Sequence, residues 1–297
     1  MVKIEGIITP IITPMNEDET INKEELRNQV NRLIDNGVHG IFCFGTNGEG
    51  YILSHEEKLE VLKEVIDTAN KRVPIYAGTG CVSTKETIQL SQEAEELGVD
   101  VLSIITPYFA AISQKELIAH YKEIAKKVNL PIVVYNIPTR TNVNVAPQTI
   151  KELAQIPNIV GVKDSSGNFD NMLQYIELTR DLDFAVLSGN DSLIYWNLLA
   201  GGVGGIAGCS NVYPQTMCGI FESFKSGDYT KAKEYQDSIR TFRDCFKFGN
   251  PNTIVKKAVS YLGYNVGDCR KPFNYISEEA SIAIQEVLRQ NKDKGMK

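Results

Sequence analysis

Lys163 follows a short apolar run and precedes a polar, turn-forming cluster. The apolar run is Ile159 to Val162, and the polar cluster is Asp164 to Asn168. A buried barrel strand that delivers one reactive side chain to the barrel mouth has this pattern. A lysine held among apolar side chains can lose its proton, and the neutral amine is a nucleophile. The alternative is an ordinary strand-end lysine, solvated or paired with Asp164. Taken by itself, the stretch favours this alternative.

The other apolar runs end in hydroxyl and amide side chains, two carboxylates and one arginine. These residues are Thr46, Asn47 and Glu49, then Thr79, Tyr108, Tyr135, Asn136, Arg140, Asn190 and Asp191. The set contains no histidine base and no paired carboxylates, and the three histidines of the chain are far apart. Such a set favours amine chemistry on a carbonyl over metal-assisted hydrolysis or glycoside cleavage. We therefore expect neither a metal nor a cofactor.

Two Gly-rich stretches resemble phosphate-binding loops only superficially. Gly45 to Gly50 has the spacing G-x-x-G-x-G, and Gly202 to Gly208 follows a predicted helix instead of a strand. Neither context is that of a dinucleotide site. The first stretch can still offer backbone N–H groups to a carboxylate. Glu49 within it could act as a general base, but we expect it to stabilise the loop by accepting backbone hydrogen bonds.

The positions of these side chains follow from a regular alternation of predicted strands and helices. Eight strand–helix units span about 225 residues with a period of about 25 residues, which predicts a (β/α)8 TIM barrel of the α/β class. A doubly wound sheet is the alternative. We expect the barrel to occupy residues 1–226. Residues 227–297 are predicted to form helices packed on it, with helices at 229–248, 253–262 and 278–290 and a frayed tail at 291–297.

Composition narrows the range of partners. The chain has 297 residues, a net charge of −6 and 42% hydrophobic residues. The acidic balance argues against nucleic acid or an anionic membrane as a partner. No run approaches the ~20 apolar residues of a membrane span, and the N-terminus lacks signal-peptide features. The six cysteines form no C-x-x-C pair, so we expect reduced thiols in a cytoplasmic protein.

Five motifs in order make the chain resemble a known family, the pyruvate-dependent class I aldolases of the dihydrodipicolinate synthase and N-acetylneuraminate lyase type. The similarity extends from Gly6 to Pro272. Each motif lies at a predicted strand end: Gly45-Thr46-Asn47-Gly48-Glu49, Ala77-Gly78-Thr79-Gly80, Thr106-Pro107-Tyr108, Tyr135-Asn136-Ile137-Pro138 and Gly161-Val162-Lys163-Asp164.

This resemblance implies roles for the strand-end residues. Lys163 would form a Schiff base with pyruvate or another 2-oxo acid. Tyr135 would be the general acid/base, and the Thr46 hydroxyl would relay protons to it. Backbone N–H groups of Thr46 and Asn47 would bind the pyruvate carboxylate, and backbone groups near Ile206 would line the same pocket.

The resemblance leaves the second substrate open. Arg140 matches the arginine that binds the carboxylate of aspartate semialdehyde in the synthase branch, which serves lysine biosynthesis. Asn47 stands where that branch has a second threonine, and Phe109 where it has a second tyrosine after Tyr108. These two residues favour an aldolase that cleaves a 2-keto-3-deoxy sugar acid, a 4-hydroxy-2-oxo acid or N-acetylneuraminate. Arg140 favours the synthase. A non-enzymatic 2-oxo acid sensor is the alternative from another class.

Regulation and assembly are further implications of the resemblance. His55, Glu86 and Tyr108 lie at positions where the family binds the effector lysine, but Val82 replaces an asparagine there and cannot hydrogen-bond. The family commonly forms homotetramers built as dimers of dimers. We therefore expect a homotetramer, with Tyr108 and Phe109 near a subunit contact and Tyr108 also lining the substrate pocket.

Overall fold

The strands of this computed structural model, which describes residues 2–297, form a closed parallel barrel in which β1 to β8 are neighbours in chain order. The strands are β1 Gly6–Pro10, β2 Gly40–Cys43, β3 Ile75–Gly78, β4 Val101–Ile105, β5 Ile132–Asn136, β6 Ile159–Asp164, β7 Ala185–Ser188 and β8 Gly204–Ile206. Nearly every strand position is buried, because helices cover the outer face of such a barrel while side chains fill its inside. The predicted (β/α)8 barrel is confirmed, and the doubly wound alternative is excluded by closure.

Thirteen α-helices are present in the described part of the chain. They are α1 Lys23–Asp35, α2 His55–Ala69, α3 Thr84–Leu97, α4 Gln114–Ala125, α5 Pro138–Thr141, α6 Pro147–Leu153, α7 Phe169–Leu178, α8 Ile194–Ala200, α9 Pro214–Lys225, α10 Tyr229–Ser238, α11 Arg240–Arg243, α12 Pro251–Tyr261 and α13 Glu278–Asp293. Short 3-10 turns cover residues 191–193, 208–211 and 244–248. No helix among residues 2–297 is long and apolar enough to cross a membrane.

Serine caps determine where several of these helices begin. The Ser54 side chain accepts a hydrogen bond from the backbone of Glu57, whose carboxylate accepts one from the Ser54 backbone in return. Ser113 and Glu116 form the same reciprocal box at the start of α4. Because the box satisfies two backbone donors that a helix N-terminus leaves unpaired, each helix begins directly after the loop that follows a strand. Ser54 and Glu57 have the sequence spacing that is typical of such a box.

The chain divides into two compact units. The first contains residues up to 6 and 74–206, and in it β3 to β8 pair in parallel, with Tyr135 opposite Lys163 across β5 and β6. The second contains residues 7–73 and 207–297, so the C-terminal helices belong to the same unit as α1 and α2. The division proposed from the sequence, between residues 226 and 227, stays a prediction.

Two local expectations were wrong. The predicted helix over residues 229–248 is broken into α10, α11 and a 3-10 turn. The tail is not frayed, because α13 continues to Asp293 and the terminal residue is attached to α9. There, the Lys297 N–H donates to the Thr216 hydroxyl at 3.1 Å, and the Thr216 N–H donates to the Lys297 carbonyl at 2.8 Å. Such hydrogen bonds between distant residues leave no periodic signal in the sequence.

Candidate active site

Lys163 and Tyr135 form the centre of the candidate active site in the first unit. They are register partners on β6 and β5, so their side chains point to the same face of the sheet. The Lys163 Nζ lies 3.7 Å from the centroid of the Tyr135 ring. Each residue is only 4% exposed. The structure therefore brings together, in a nearly dry position, the predicted nucleophile and the predicted general acid/base.

Gly189 leaves room for the Lys163 side chain. A Cβ at this position would lie 3.0 Å from the Lys163 Cε and 1.9 Å from the Ser165 hydroxyl oxygen. The second distance is far inside van der Waals contact, so any larger residue would displace the groups around the amine. Gly189 follows β7, and its N–H donates to the Asp164 carbonyl at 2.8 Å. The glycine after β7 thus belongs to the lysine site.

A buried polar network supports the other side of the same two strands. The Asn136 amide donates to the Asp164 carboxylate at 2.8 Å, and the Ser166 hydroxyl donates to its second oxygen at 2.8 Å. The Tyr175 hydroxyl donates to the Val145 carbonyl and lies 3.3 Å from the Asn136 amide. Asn136 and Asp164 each follow a site residue directly, so this network holds the ends of β5 and β6 in place.

The network also bears on the alternative that Lys163 is an ordinary strand-end ion pair with Asp164. Successive residues of a strand point to opposite faces, and the Asp164 carboxylate is bound by Asn136 and Ser166. Burial raises the pKa of Asp164 above its usual range, although the hydrogen bonds from Ser166 and Asn136 oppose that shift. Asp164 is therefore part of the support beneath the site.

Arg140, Tyr108 and Phe109 lie in the loops that follow β5 and β4. Arg140 is exposed on α5, where its guanidinium is accessible to a carboxylate from solution. Tyr108 is half-buried, and its phenol pKa is raised by burial and by nearby Cys81 and Glu86. Phe109 is 98% exposed and has a φ of 79°. A bulky residue with positive φ is strained, so the surrounding loop must hold Phe109 in this position.

In the second unit, the loop 45–50 after β2 carries Thr46 and Asn47, both half-buried. Its glycines are required by close backbone packing. A Cβ on Gly48 would lie 2.7 Å from the Ile11 carbonyl oxygen, and one on Gly50 would lie 2.3 Å from that of Phe44. The Thr13 hydroxyl donates to the Gly48 carbonyl at 2.7 Å. The glycines are therefore required by the close packing of this turn.

Asn47 contacts the segment that follows β8. A Cβ on Gly208 would come within 2.6 Å of the Asn47 amide nitrogen, so this side chain lies directly against the Gly208 backbone. The turn beginning at Gly208 includes Asn211, whose amide donates to the Pro10 carbonyl at 2.9 Å. Ile206 is buried at the last position of β8.

Glu49 has a structural environment that the sequence predicted only in part. One carboxylate oxygen accepts from the Arg270 backbone N–H at 2.8 Å, in line with the expected role in stabilising the loop. The other accepts from the Lys256 Nζ at 2.7 Å, and both side chains are completely buried. The sequence analysis missed Lys256. Lys256 has helical spacing with Asn252, Val255 and Val259, which puts it on the buried face of α12. Because a buried charge requires a partner, this spacing predicts an acidic residue next to Lys256.

Comparisons with known proteins show which family the chain is similar to. A profile of the dihydrodipicolinate synthetase family matches residues 3–291. The curated 4-hydroxy-tetrahydrodipicolinate synthase of Methanospirillum hungatei is 39% identical over 287 residues, covering 96% of this chain and 98% of that protein.

Solved structures give the same relationship. The chloride-inhibited dihydrodipicolinate synthase of Acinetobacter baumannii, complexed with pyruvate, is 34% identical with a TM-score of 0.94, covering 98% of this chain and 99% of that one. A monomeric dihydrodipicolinate synthase variant is 31% identical with a TM-score of 0.94, and the match covers 97% of each chain.

Proposed function

The chain belongs to the dihydrodipicolinate synthetase family, and on that premise we propose that it is a 4-hydroxy-tetrahydrodipicolinate synthase. Such an enzyme is a lyase of the class I aldolase type and condenses pyruvate with aspartate semialdehyde in lysine biosynthesis. The observation that carries the proposal is the buried Lys163 amine, 3.7 Å from the centre of the Tyr135 ring on the adjacent strand.

The chemistry begins at Lys163. The lysine nitrogen attacks C2 of pyruvate, and the C2 oxygen leaves as water after taking one proton from that nitrogen and one from the general acid, which leaves a protonated imine. The imine withdraws electrons, so C3 loses a proton to give an enamine. The enamine carbon then forms a bond with the aldehyde carbon of aspartate semialdehyde, whose oxygen takes up a proton. Tyr135 is the group proposed to move these protons, because its phenol belongs to the ring that packs against the amine.

The loop 45–50 is proposed to bind the pyruvate carboxylate. The backbone N–H groups of Thr46 and Asn47 would donate to it, and the Thr46 hydroxyl would relay protons to Tyr135. Backbone groups near Ile206 would line the pocket. Support comes from the family motif, from the rigidity of the loop, and from the general rule that barrel enzymes act at the carboxyl ends of their strands.

Arg140 is proposed to bind the carboxylate of aspartate semialdehyde, with Tyr108 lining the same substrate pocket. The guanidinium is exposed on α5, directly after the strand that carries Tyr135. A planar guanidinium matches a carboxylate with two parallel hydrogen bonds, whereas the polyol chain of a sugar acid offers only neutral hydroxyls at that end. The arginine therefore favours the synthase reaction.

Two residues favour a second candidate, an aldolase that releases pyruvate from a 2-keto-3-deoxy sugar acid or a 4-hydroxy-2-oxo acid. Asn47 replaces a threonine, and its amide is placed against Gly208. Phe109 replaces a tyrosine and has no hydroxyl to donate. Both candidates share Lys163 and Tyr135, so they differ only in the second substrate.

Borohydride reduction in the presence of pyruvate tests the shared half of the reaction. We expect a stable pyruvate adduct on Lys163, identified by peptide mass mapping, and no adduct when acetate replaces pyruvate. An adduct on another lysine, or none, would refute the mechanism. Two assays distinguish the synthase from the aldolase: condensation of pyruvate with aspartate semialdehyde, and release of pyruvate from candidate 2-oxo acids. Trapping without turnover on any of them would favour the sensor.

We propose that the protein is a homotetramer, a dimer of dimers. Support comes from two exposed apolar features of the first unit. Phe109 is 98% exposed at the end of a strained loop, and α8 presents Trp196 and Leu199, which are 41% and 50% exposed. Exposed apolar groups of this size commonly mark contacts between proteins. One of the related structures is a monomeric variant, so family membership does not by itself fix the oligomeric state, and sedimentation velocity tests the proposal.

We also propose a cytoplasmic location. The six cysteines are in the thiol form, and five of them are buried. Reduced thiols are typical of proteins that remain in a reducing compartment. Fractionation of cells that express the protein, followed by immunodetection, tests the location, and recovery outside the cytoplasmic fraction would contradict it.

A further inference from the structure

Glu49 has an environment that a simple turn residue would not require. Its side chain is fully buried in the second unit, and its backbone φ is 56°. It accepts hydrogen bonds from the Lys256 ammonium at 2.7 Å and from the Arg270 backbone at 2.8 Å. Thus two residues about 200 positions later in the chain converge on one carboxylate of the loop 45–50.

A need for stability does not account for this arrangement. Desolvating two charges costs about as much as their attraction returns, so an apolar pair of equal volume commonly stabilises a fold equally well. A non-glycine residue with positive φ adds strain, and such strain clusters at functional sites. The pair is better explained by the geometry that it imposes. An ion pair with a second hydrogen bond, to the other carboxylate oxygen, determines the orientation of a carboxylate, and through it the backbone of the loop.

The same loop is attached on its other side. The Thr13 hydroxyl donates to the Gly48 carbonyl at 2.7 Å. The backbone N–H of Arg270 donates to Glu49. Its side chain also binds Glu57, in the first turn of α2, because Nη2 and Nη1 donate to the two Glu57 carboxylate oxygens at 2.7 and 2.8 Å. The C-terminal segment therefore holds both the loop and the start of the helix that follows it.

We propose that Glu49 and Lys256 are positioning residues, which fix the loop 45–50 so that the Thr46 and Asn47 N–H groups are preorganised for the carboxylate of the 2-oxo acid. The inference rests on the proposed function and adds to it a role for Glu49, the last residue of the first family motif, and for Lys256, which lies outside all five motifs. Neither side chain touches substrate. Their loss should weaken pyruvate binding, because the N–H groups no longer converge, while the chemistry of a bound pyruvate at Lys163 proceeds as before.

The test measures the pyruvate concentration that half-saturates borohydride trapping of Lys163, together with kcat. The variants are Glu49→Gln and the uncharged double variant Glu49→Gln/Lys256→Met, which leaves no buried charge alone. We expect the half-saturating concentration to rise at least about 10-fold in both, with kcat at saturating pyruvate within about threefold of the wild type. Glu49→Asp, which keeps the charge, should recover part of the affinity.

Two further variants separate positioning from general destabilisation. Ile284→Ala, in the core of α13, lowers the melting temperature without reaching the loop and should leave pyruvate half-saturation unchanged. Thr13→Val removes a neutral hydrogen bond to the same loop and, like the Glu49 variants, should weaken pyruvate binding. Thr13→Val therefore tests the positioning role even if the Glu49 variants do not fold.

The outcomes distinguish this inference from the proposed function. If pyruvate does not trap the wild type, the proposed function fails. The positioning role is overturned if the wild type is trapped normally and the half-saturating pyruvate concentrations of Thr13→Val and of the folded Glu49 variants stay within about twofold of the wild-type value. It is also overturned if Ile284→Ala raises the half-saturating pyruvate concentration as much as the Glu49 and Thr13 variants do.

Discussion

At the scale of single residues, the proposed reactivity of the site rests on two buried side chains. Lys163 alone cannot be distinguished from a structural lysine, but its contact with the Tyr135 ring puts an amine and a phenol in one dry position. A general acid/base must lie within reach of the group whose protons it moves. The register of the two adjacent strands keeps these two residues opposite each other.

Lys163→Ala is expected to abolish turnover and borohydride trapping while the fold remains. The substitution removes the only nitrogen that can form the imine in the proposed mechanism. Circular dichroism and the melting temperature check the fold, and a coupled assay checks turnover. Residual turnover near that of the wild type would contradict the assignment of the nucleophile.

Tyr135→Phe is expected to lower kcat by about 10²–10⁴-fold, the usual cost of a lost acid/base. The phenyl ring keeps the packing against the lysine, so trapping with pyruvate should continue at a reduced rate. Steady-state kinetics measures the loss. A kcat close to that of the wild type would mean that another group or water moves the protons.

Arg140→Ala is expected to raise the KM for aspartate semialdehyde by about 10–100-fold, because a charge-assisted pair with the substrate is lost. Pyruvate half-saturation should not change. Arg140→Lys serves as the matched control, since it keeps the charge but loses the planar fork, and should recover only part of the affinity. An unchanged KM in Arg140→Ala would favour the aldolase candidate.

At the scale of elements, supporting residues occupy the opposite faces of the strands that carry the chemistry. Asn136 and Asp164 directly follow Tyr135 and Lys163 in the chain, and their side chains bind each other away from the site. Helices α4 and α7 supply tyrosines to the same layer, since Tyr121 donates to the Ile104 carbonyl at 2.8 Å and Tyr175 donates to the Val145 carbonyl. The barrel strands are thus held in register by polar as well as apolar contacts.

His120 on α4 makes the stability of this layer depend on pH. Burial lowers its pKa from 6.5 to about 4, and its Nδ1 lies 2.9 Å from the Thr84 hydroxyl oxygen. The folded state therefore binds the proton less readily than the unfolded chain. Stability is full above pH 6.5 and falls as the pH drops towards 4, by up to about 3 kcal/mol.

The measurement is the free energy of unfolding in urea at several pH values between 4 and 7. His120→Gln should flatten this dependence relative to the wild type, because the variant has no titrating group at that position. An identical slope in the two proteins would show that His120 does not control the pH dependence in this range.

At the scale of the whole molecule, assembly depends on surfaces that a single chain leaves exposed. Leu199→Asp puts a charge into the exposed apolar surface of α8, where Leu199 is 50% exposed. We expect it to shift the protein from tetramer to dimer, measured by sedimentation velocity. Lys151→Asp, on α6, is the control for an added charge. A tetramer that persists in Leu199→Asp would exclude this surface as a subunit contact.

Much of the fold could be predicted from the sequence because a barrel repeats one simple pattern. Buried strands leave continuous apolar runs, and helices leave a period of 3.6 with serine caps, so the eight alternating strands and helices of the barrel were predicted. Prediction failed at Tyr229–Phe248, where apolar residues continue but the backbone breaks between α10 and α11. It also failed at the tail, which hydrogen bonds attach to Thr216.

By itself, the sequence determined the barrel, the candidate lysine and the residues that follow each strand, because these depend on local patterns. Only the tertiary structure decided which side chains meet. It put Lys163 against Tyr135, directed Asp164 to a separate polar network, and joined Glu49 to Lys256, 207 positions away. Contacts of this kind depend on strand register and helix packing, in which one residue of offset turns a side chain to the other face.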